Sequence, residues 1–162
     1  MVFSFERQVS LRMKFIADVM LGKLARYLRI LGYDTIYFNQ KDEGDLIKIA
    51  QEQGRTLLTR RTRSKERKDI ENLLFITEDN PREQLKEVLM YFHLSPFTHS
   101  LFTRCLICNE RLKDMPREKV EGKVTEYILN SHDTFFLCPN CKRIYWPGSH
   151  HERMLREIVR LT

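Results

Sequence analysis

"MKFIADVMLGKLARYLRILGYDTIYF", Met13 to Phe38, decides the fold of this chain. It opens on a short apolar run, Phe15-Ile16-Ala17, that stops at an acid, Asp18. A run of that length reads as a buried strand. Leu21, Leu24, Leu28 and Leu31 then recur at helical spacing, and Gly32 supplies the stop. Thr35 to Phe38 is β-branched and aromatic, which predicts a second strand. Strand, helix and strand in direct succession form a βαβ unit with parallel strands.

The same rhythm continues downstream. A helix is predicted from about Gly44 to Gln53, with Leu46, Ile49 and Ala50 inward and Gly54 at its end. "RTLLT" (Arg55 to Thr59) and "NLLFI" (Asn72 to Ile76) read as third and fourth strands. "NPREQLKEVLMYF" starts with an Asn cap, Asn80, and a proline at the first helical position, and carries Leu85, Val88, Leu89 and Phe92 as an apolar stripe. Alternating strands and helices predict an α/β domain on a parallel sheet. "HLSPFTHS", broken by Pro96, reads as a linker. Short strands, turns and cysteines follow to about Gly148, and a last helix, His150 to Leu161, presents Met154, Ile158 and Leu161. The expected organisation is an α/β domain over 13–95, a cysteine module over 101–148, and a helix over 149–162 packing back on the α/β domain. Residues 1–12 carry no pattern and read as an extension, with Met13 as a second start.

The chain has 162 residues, enough for one domain with a small appended module, and 42% hydrophobic content is enough for a core. No apolar run approaches the roughly 18 residues of a membrane span, and the N-terminus lacks the apolar stretch of a signal peptide. A cytoplasmic, reduced setting is therefore expected, with no membrane partner. The net charge of +6 points to a polyanionic partner, nucleic acid first, although a merely basic surface fits the same number. Self-association is left open.

Two pairs, Cys105/Cys108 in "CLIC" and Cys138/Cys141 in "CPNC", have the two-residue spacer of a tight turn that presents two thiolates to one metal. Free buried thiols or redox pairs are the alternatives; a doubled motif in a reduced compartment favours a zinc ion held by all four sulfurs. Four cysteines leave no position for water, so the zinc is expected to be structural. The interval Asn109 to Leu137 has room for a three-stranded ribbon, and His132, His150 and His151 are spare. Acids collect elsewhere. Asp18 ends the first strand, Asp45 opens the second helix beside Asp42 and Glu43, and Glu78 and Asp79 follow the fourth strand. In an open parallel sheet these strand ends line the ligand crevice. Clustered carboxylates there call for Mg²⁺ or Mn²⁺, whereas acids at helix starts are also ordinary caps.

"FIADVMLGKLARYLRILGYDTIYF", "DLIKIAQEQGRTLLTR" and "CLIC…CPNC…IYWPGSH" resemble, in that order, the Mut-seven C-terminal RNase family. The resemblance runs from about Met13 to the end. It implies a PIN-like α/β fold, a three-layer parallel sheet with helices on both faces, plus a small Cys₄ zinc ribbon. It also implies metal-dependent hydrolysis of RNA, with Asp18 and Asp45 at the first two acid positions of the site, both as Mg/Mn ligands. The family's third acid follows the "LLTR" strand. Here Thr59-Arg60-Arg61 stands in its place, so Arg61 replaces a carboxylate and Asp79 is the candidate substitute. The run Arg60 to Lys68 adds cations next to those acids; Arg60, Arg61, Arg63 and Lys65, with Arg26 and Arg29 of the first helix, are the expected RNA-binding residues. The expected function is a ribonuclease using Asp18, Asp45 and Asp79. The alternatives are a weakened or inactive RNA-binding protein on the same fold, and a protein-docking module.

Overall fold

The computed structural model describes residues 13–40, 42–65, 69–96 and 100–160. The extension 1–12, residues 66–68 of the basic run and Leu161 lie outside the described residues. The chain forms two compact units, one ending at Asn109 and one starting at Glu110.

In the first unit, β1 (Lys14–Ala17), β2 (Asp34–Tyr37), β3 (Thr56–Thr59) and β4 (Leu73–Phe75) form one parallel sheet in the order β2-β1-β3-β4. Its helices are α1 (Gly22–Ile30), α2 (Glu43–Glu52), the single turn α3 (Thr62–Lys65) and α4 (Pro81–Tyr91). Phe15, Ile16 and Ala17 are fully buried because helices cover both faces, which is why β1 reads as an unbroken apolar run. Successive side chains point to opposite faces. Phe15 meets the rings of Tyr33 and of Phe92 at the end of α4, with centroids 5.8 and 5.7 Å away. Ile16 belongs to the other core, with Leu46, Ile47 and Ala50 of α2 and Leu57 of β3.

The chain steps outward from β1 to β2 and then crosses back over β1 to reach β3. Right-handed crossovers running in opposite directions put α1 and α2 on opposite faces. The strand order reverses between β1 and β3, and a ligand crevice is expected at their carboxyl ends. Local signals set the helix ends. The Asn80 side chain accepts the Arg82 N–H, with Pro81 next to it, as the sequence predicts. Gly32 closes α1 at φ +90°, where a Cβ would lie 2.3 Å from the Ser100 carbonyl oxygen, so only glycine fits. The turn α3 falls where the sequence suggested a loop; the Ser64 N–H donates to the Arg61 carbonyl and closes it.

The second unit contains β5 (Lys113–Asp114), β6 (Phe136–Leu137) and β7 (Ile144–Tyr145), antiparallel in that order. Its helices are α5 (Arg117–Val120), α6 (Glu126–Ser131) and α7 (Ser149–Val159). Met115, Val120 and Phe135 form its core. The interval Asn109 to Leu137 does not hold a whole three-stranded ribbon: it holds β5, α5, α6 and β6, and β7 follows the second cysteine pair. The strands are only two residues long, and Thr125 caps α6 by accepting the Ile128 N–H. Among the described residues no helix is long and apolar enough to cross a membrane.

Candidate functional site

Asp18 stands at the point where the strand order reverses. It follows β1, is fully buried, and caps the short 3₁₀ turn Val19–Leu21. One carboxylate oxygen accepts the Met20 N–H at 2.8 Å. The other accepts the Thr59 hydroxyl at 2.5 Å and the Arg60 N–H at 3.0 Å, so the group bridges the ends of β1 and β3. A buried carboxylate survives only when donors replace its water, and these three do so.

The other acids lie on the same carboxyl edge but are differently engaged. Asp45 is exposed in the first turn of α2, its N–H donating to the capping Asp42 at 3.0 Å. Glu43 accepts the buried Ser64 hydroxyl at 2.5 Å, which ties the start of α2 to the segment after β3. Asp79 is almost fully exposed and pairs with the Arg60 guanidinium. Buried Gln84 donates to the Glu78 and Asp79 carbonyls and shapes that loop. Asp18, Asp45 and Asp79 do not form a group of converging ligands; among the described residues the four cysteines alone do. Asp18 is occupied by protein donors and Asp79 by Arg60, so these acids do not fit a pre-assembled three-carboxylate cation site.

The expected RNA-binding cations divide. Arg26 and Arg63 are exposed, and Arg60 lies between Asp18 and Asp79. The Arg61 N–H donates to the Thr59 hydroxyl, and its guanidinium reaches the Gln40 carbonyl at 3.5 Å. The side chain of Lys65 lies outside the described residues. Arg29 is a correction: it is buried rather than offered to RNA. Its Nε donates to the Thr35 carbonyl, and one Nη donates to the carbonyls of Leu106 and Ile107, all at 2.9 Å. Those last two are the residues inside "CLIC", so a guanidinium from α1 holds the first cysteine turn.

Sequence reasoning also missed a cluster at the amino edge of the sheet. Asp34, at the start of β2, accepts from Arg55 at 2.6 Å and from the Asn109 amide at 2.8 Å, with Arg104 at 3.7 Å. The Asn109 side chain also accepts the Thr35 N–H, so Asn109 and Arg29 together cover the backbone of edge strand β2 at Thr35. Burial pushes the Asp34 carboxyl up, but the Arg55 and Asn109 hydrogen bonds and the charges of Arg55 and Arg104 outweigh it and hold the group below its usual 3.8. A depressed carboxylate contributes stability above its unfolded value and loses it as pH falls through the folded one. The urea midpoint is therefore expected to fall more steeply below about pH 4 in the wild type than in Asp34→Asn. Parallel acid limbs in the two proteins would contradict this.

The two cysteine turns repeat one geometry. The Asn109 N–H donates to the Cys105 carbonyl and the Lys142 N–H to the Cys138 carbonyl, each at 3.0 Å. Asn109 and Lys142, each just after the second cysteine, take positive φ of 69° and 60°. The Cys141 N–H points at the Cys138 sulfur, 3.4 Å away. All four sulfurs lie within 4.8 Å of one another, and none is in a disulfide. Tetrahedral thiolates around zinc sit about 3.8 Å apart, so the quartet fits a metal such as zinc.

A family model described as the Mut7-C RNAse domain matches residues 13–158. No curated protein and no solved structure matches the chain.

Proposed function

The chain belongs to the Mut7-C RNAse domain family, and from that premise we propose that it hydrolyses RNA phosphodiester bonds at the carboxyl edge of its parallel sheet, with Asp18 as the central acid. The observation that supports this most is the placing of a fully buried carboxylate at the β1/β3 switch point, where α/β sheets take their ligands. The acids are not pre-assembled around an ion, so Asp18 and Asp45, which share this edge, would hold Mg²⁺ or Mn²⁺ only once the Thr59 hydroxyl turns away from the Asp18 carboxylate. A divalent ion there would supply an activated water and neutralise phosphate charge. Exposed Arg26 and Arg63 and half-buried Arg60 would steer and orient the RNA backbone, while Asp79 holds the Arg60 side chain. In this reading the cysteines carry a structural zinc and perform no chemistry.

Asp18→Asn is expected to lower Mn²⁺-dependent cleavage of labelled single-stranded RNA by about a hundredfold or more, since metal-held charge stabilisation amounts to ~several kcal/mol. Because the amide cannot accept from every donor around Asp18, thermal unfolding must accompany the assay. Full cleavage by a folded Asp18→Asn protein would overturn the assignment.

A second reading, RNA binding with weak or absent cleavage, is favoured by one feature: Arg61 occupies the third acid position, and an arginine there stays charged. The variant Arg61→Asp separates the two. It removes a partly exposed side chain, so the fold is expected to survive, and the added carboxylate is expected to raise Mn²⁺-dependent cleavage by about tenfold or more. Unchanged cleavage, with RNA affinity reduced, would show that position 61 serves binding alone.

A further inference from the structure

The stretch "WPGSH", Trp146 to His150, has no part in the chemistry assigned above. Trp146 is the chain's only tryptophan and follows β7 directly. The Gly148 N–H donates to its carbonyl at 3.0 Å, folding the chain back beneath the ring. A Cβ at position 148 would lie 3.1 Å from the indole nitrogen and 3.3 Å from Cδ1. A larger residue at 148 would crowd the half-buried indole, which packs against the small core.

The open part of the ring helps line a depression of about 690 Å³. Val124, Ile128 and Ile144 complete an apolar floor, and Lys123 and Lys142, both exposed, stand at its margin. No acid lines it among the described residues. The backbone of Lys142 is fixed by the second cysteine turn, since its N–H donates to the Cys138 carbonyl. Its ammonium touches the Pro139 carbonyl and keeps further donors for another acceptor.

We propose that this depression is a single-stranded RNA subsite, with one unpaired base against Trp146 and its flanking phosphates on Lys123 and Lys142. The RNA occupant rests on the ribonuclease reading. The site itself rests on charge and shape: an aromatic ring, an apolar floor and two ammonium groups, open enough to admit a base from a passing strand. Such a site is blind to sequence, because every base has a flat face. Duplex RNA, whose faces are already stacked, is excluded from it.

Trp146 makes the test direct. Dye-labelled oligouridine is titrated into the full, metal-loaded chain without added Mg²⁺ or Mn²⁺, and anisotropy is read beside indole emission. Saturable quenching in step with anisotropy is expected, and none with duplex RNA. Trp146→Ala is expected to weaken binding about tenfold. Since that ring also touches the core, the surface variant Lys123→Ala/Lys142→Ala supplies the independent check. It should flatten the slope of log affinity against log salt by about 1.4, the single-strand value for two phosphates. Binding seen by anisotropy with unchanged indole emission and an unchanged salt slope overturns the subsite and leaves the ribonuclease reading standing. A depression that serves a protein segment leaves both RNA signals flat, which also overturns it. Flat signals together with no Mn²⁺-dependent cleavage remove both proposals.

Discussion

On the structural-zinc reading, removing the metal from the four cysteines, with a strong chelator or through Cys138→Ser, is expected to unfold the unit that begins at Glu110. Its own resources are small. Met115, Val120 and Phe135 are the buried members of its core, the strands are two residues long, and α6 buries no residue. Full burial of a large apolar side chain contributes about 1.5–3 kcal/mol, so three of them barely offset the ordering of the chain around them. Structural zinc bound by thiolates contributes about 10–16 kcal/mol near neutral pH, and in a module of this kind that binding energy is folding energy. Without the ion, no bond ties the four sulfurs together, since none is in a disulfide. Trp146 emission and proteolysis after Glu110 report the outcome, with zinc release measured in the same sample. Stoichiometric release of metal with native emission and protease resistance would show that the unit stands without it.

The second large effect is expected at Arg29→Met. The substitution keeps length and apolar bulk but leaves the carbonyls of Thr35, Leu106 and Ile107 without this donor. The Thr35 and Leu106 bonds are buried and the Ile107 bond is part-buried; each buried acceptor left unpaired costs about 1–3 kcal/mol, for a total of roughly 2–5 kcal/mol. That is a large share of the roughly 5–15 kcal/mol holding a typical domain together. Metal affinity should fall as well, by about 10- to 100-fold, because groups that orient a ligand turn govern how well it is pre-set. Arg26→Met, one turn earlier and exposed, is the comparison and should change stability by less than about 0.5 kcal/mol. Equal urea midpoints for the two variants would mean that those carbonyls find other donors.

These two arginines also mark the limit of what could be read from the chain. The βα rhythm was legible because apolar spacing switches between strand and helix periods at Ala17, Gly32 and Thr59, and because Asn80-Pro81 announces its helix. Asp18 was legible as an acid ending a buried run. That it bridges to Thr59 and Arg60 depends on β3 lying beside β1, which follows from strand order rather than from local pattern. Arg29 was placed wrongly because its carbonyl partners lie 77 and 78 residues away, and a helical stripe says nothing of them. The Asp34–Arg55–Arg104 cluster escaped for the same reason. The helices α3, α5 and α6 are too short to show a period; only the Thr125 cap of α6 could have signalled one of them.

Fastening and the proposed chemistry occupy opposite ends of the same strands: Asp34, Arg55 and Asn109 clasp the amino edge, whereas Asp18 and Thr59-Arg60-Arg61 lie at the carboxyl edge. On the proposed reading, position 61 answers more to what the protein does to RNA than to the clasp at the other edge, and its contacts with Thr59 and Gln40 are local to its own edge. An exchange of acid and arginine there would leave the Asp34 clasp untouched.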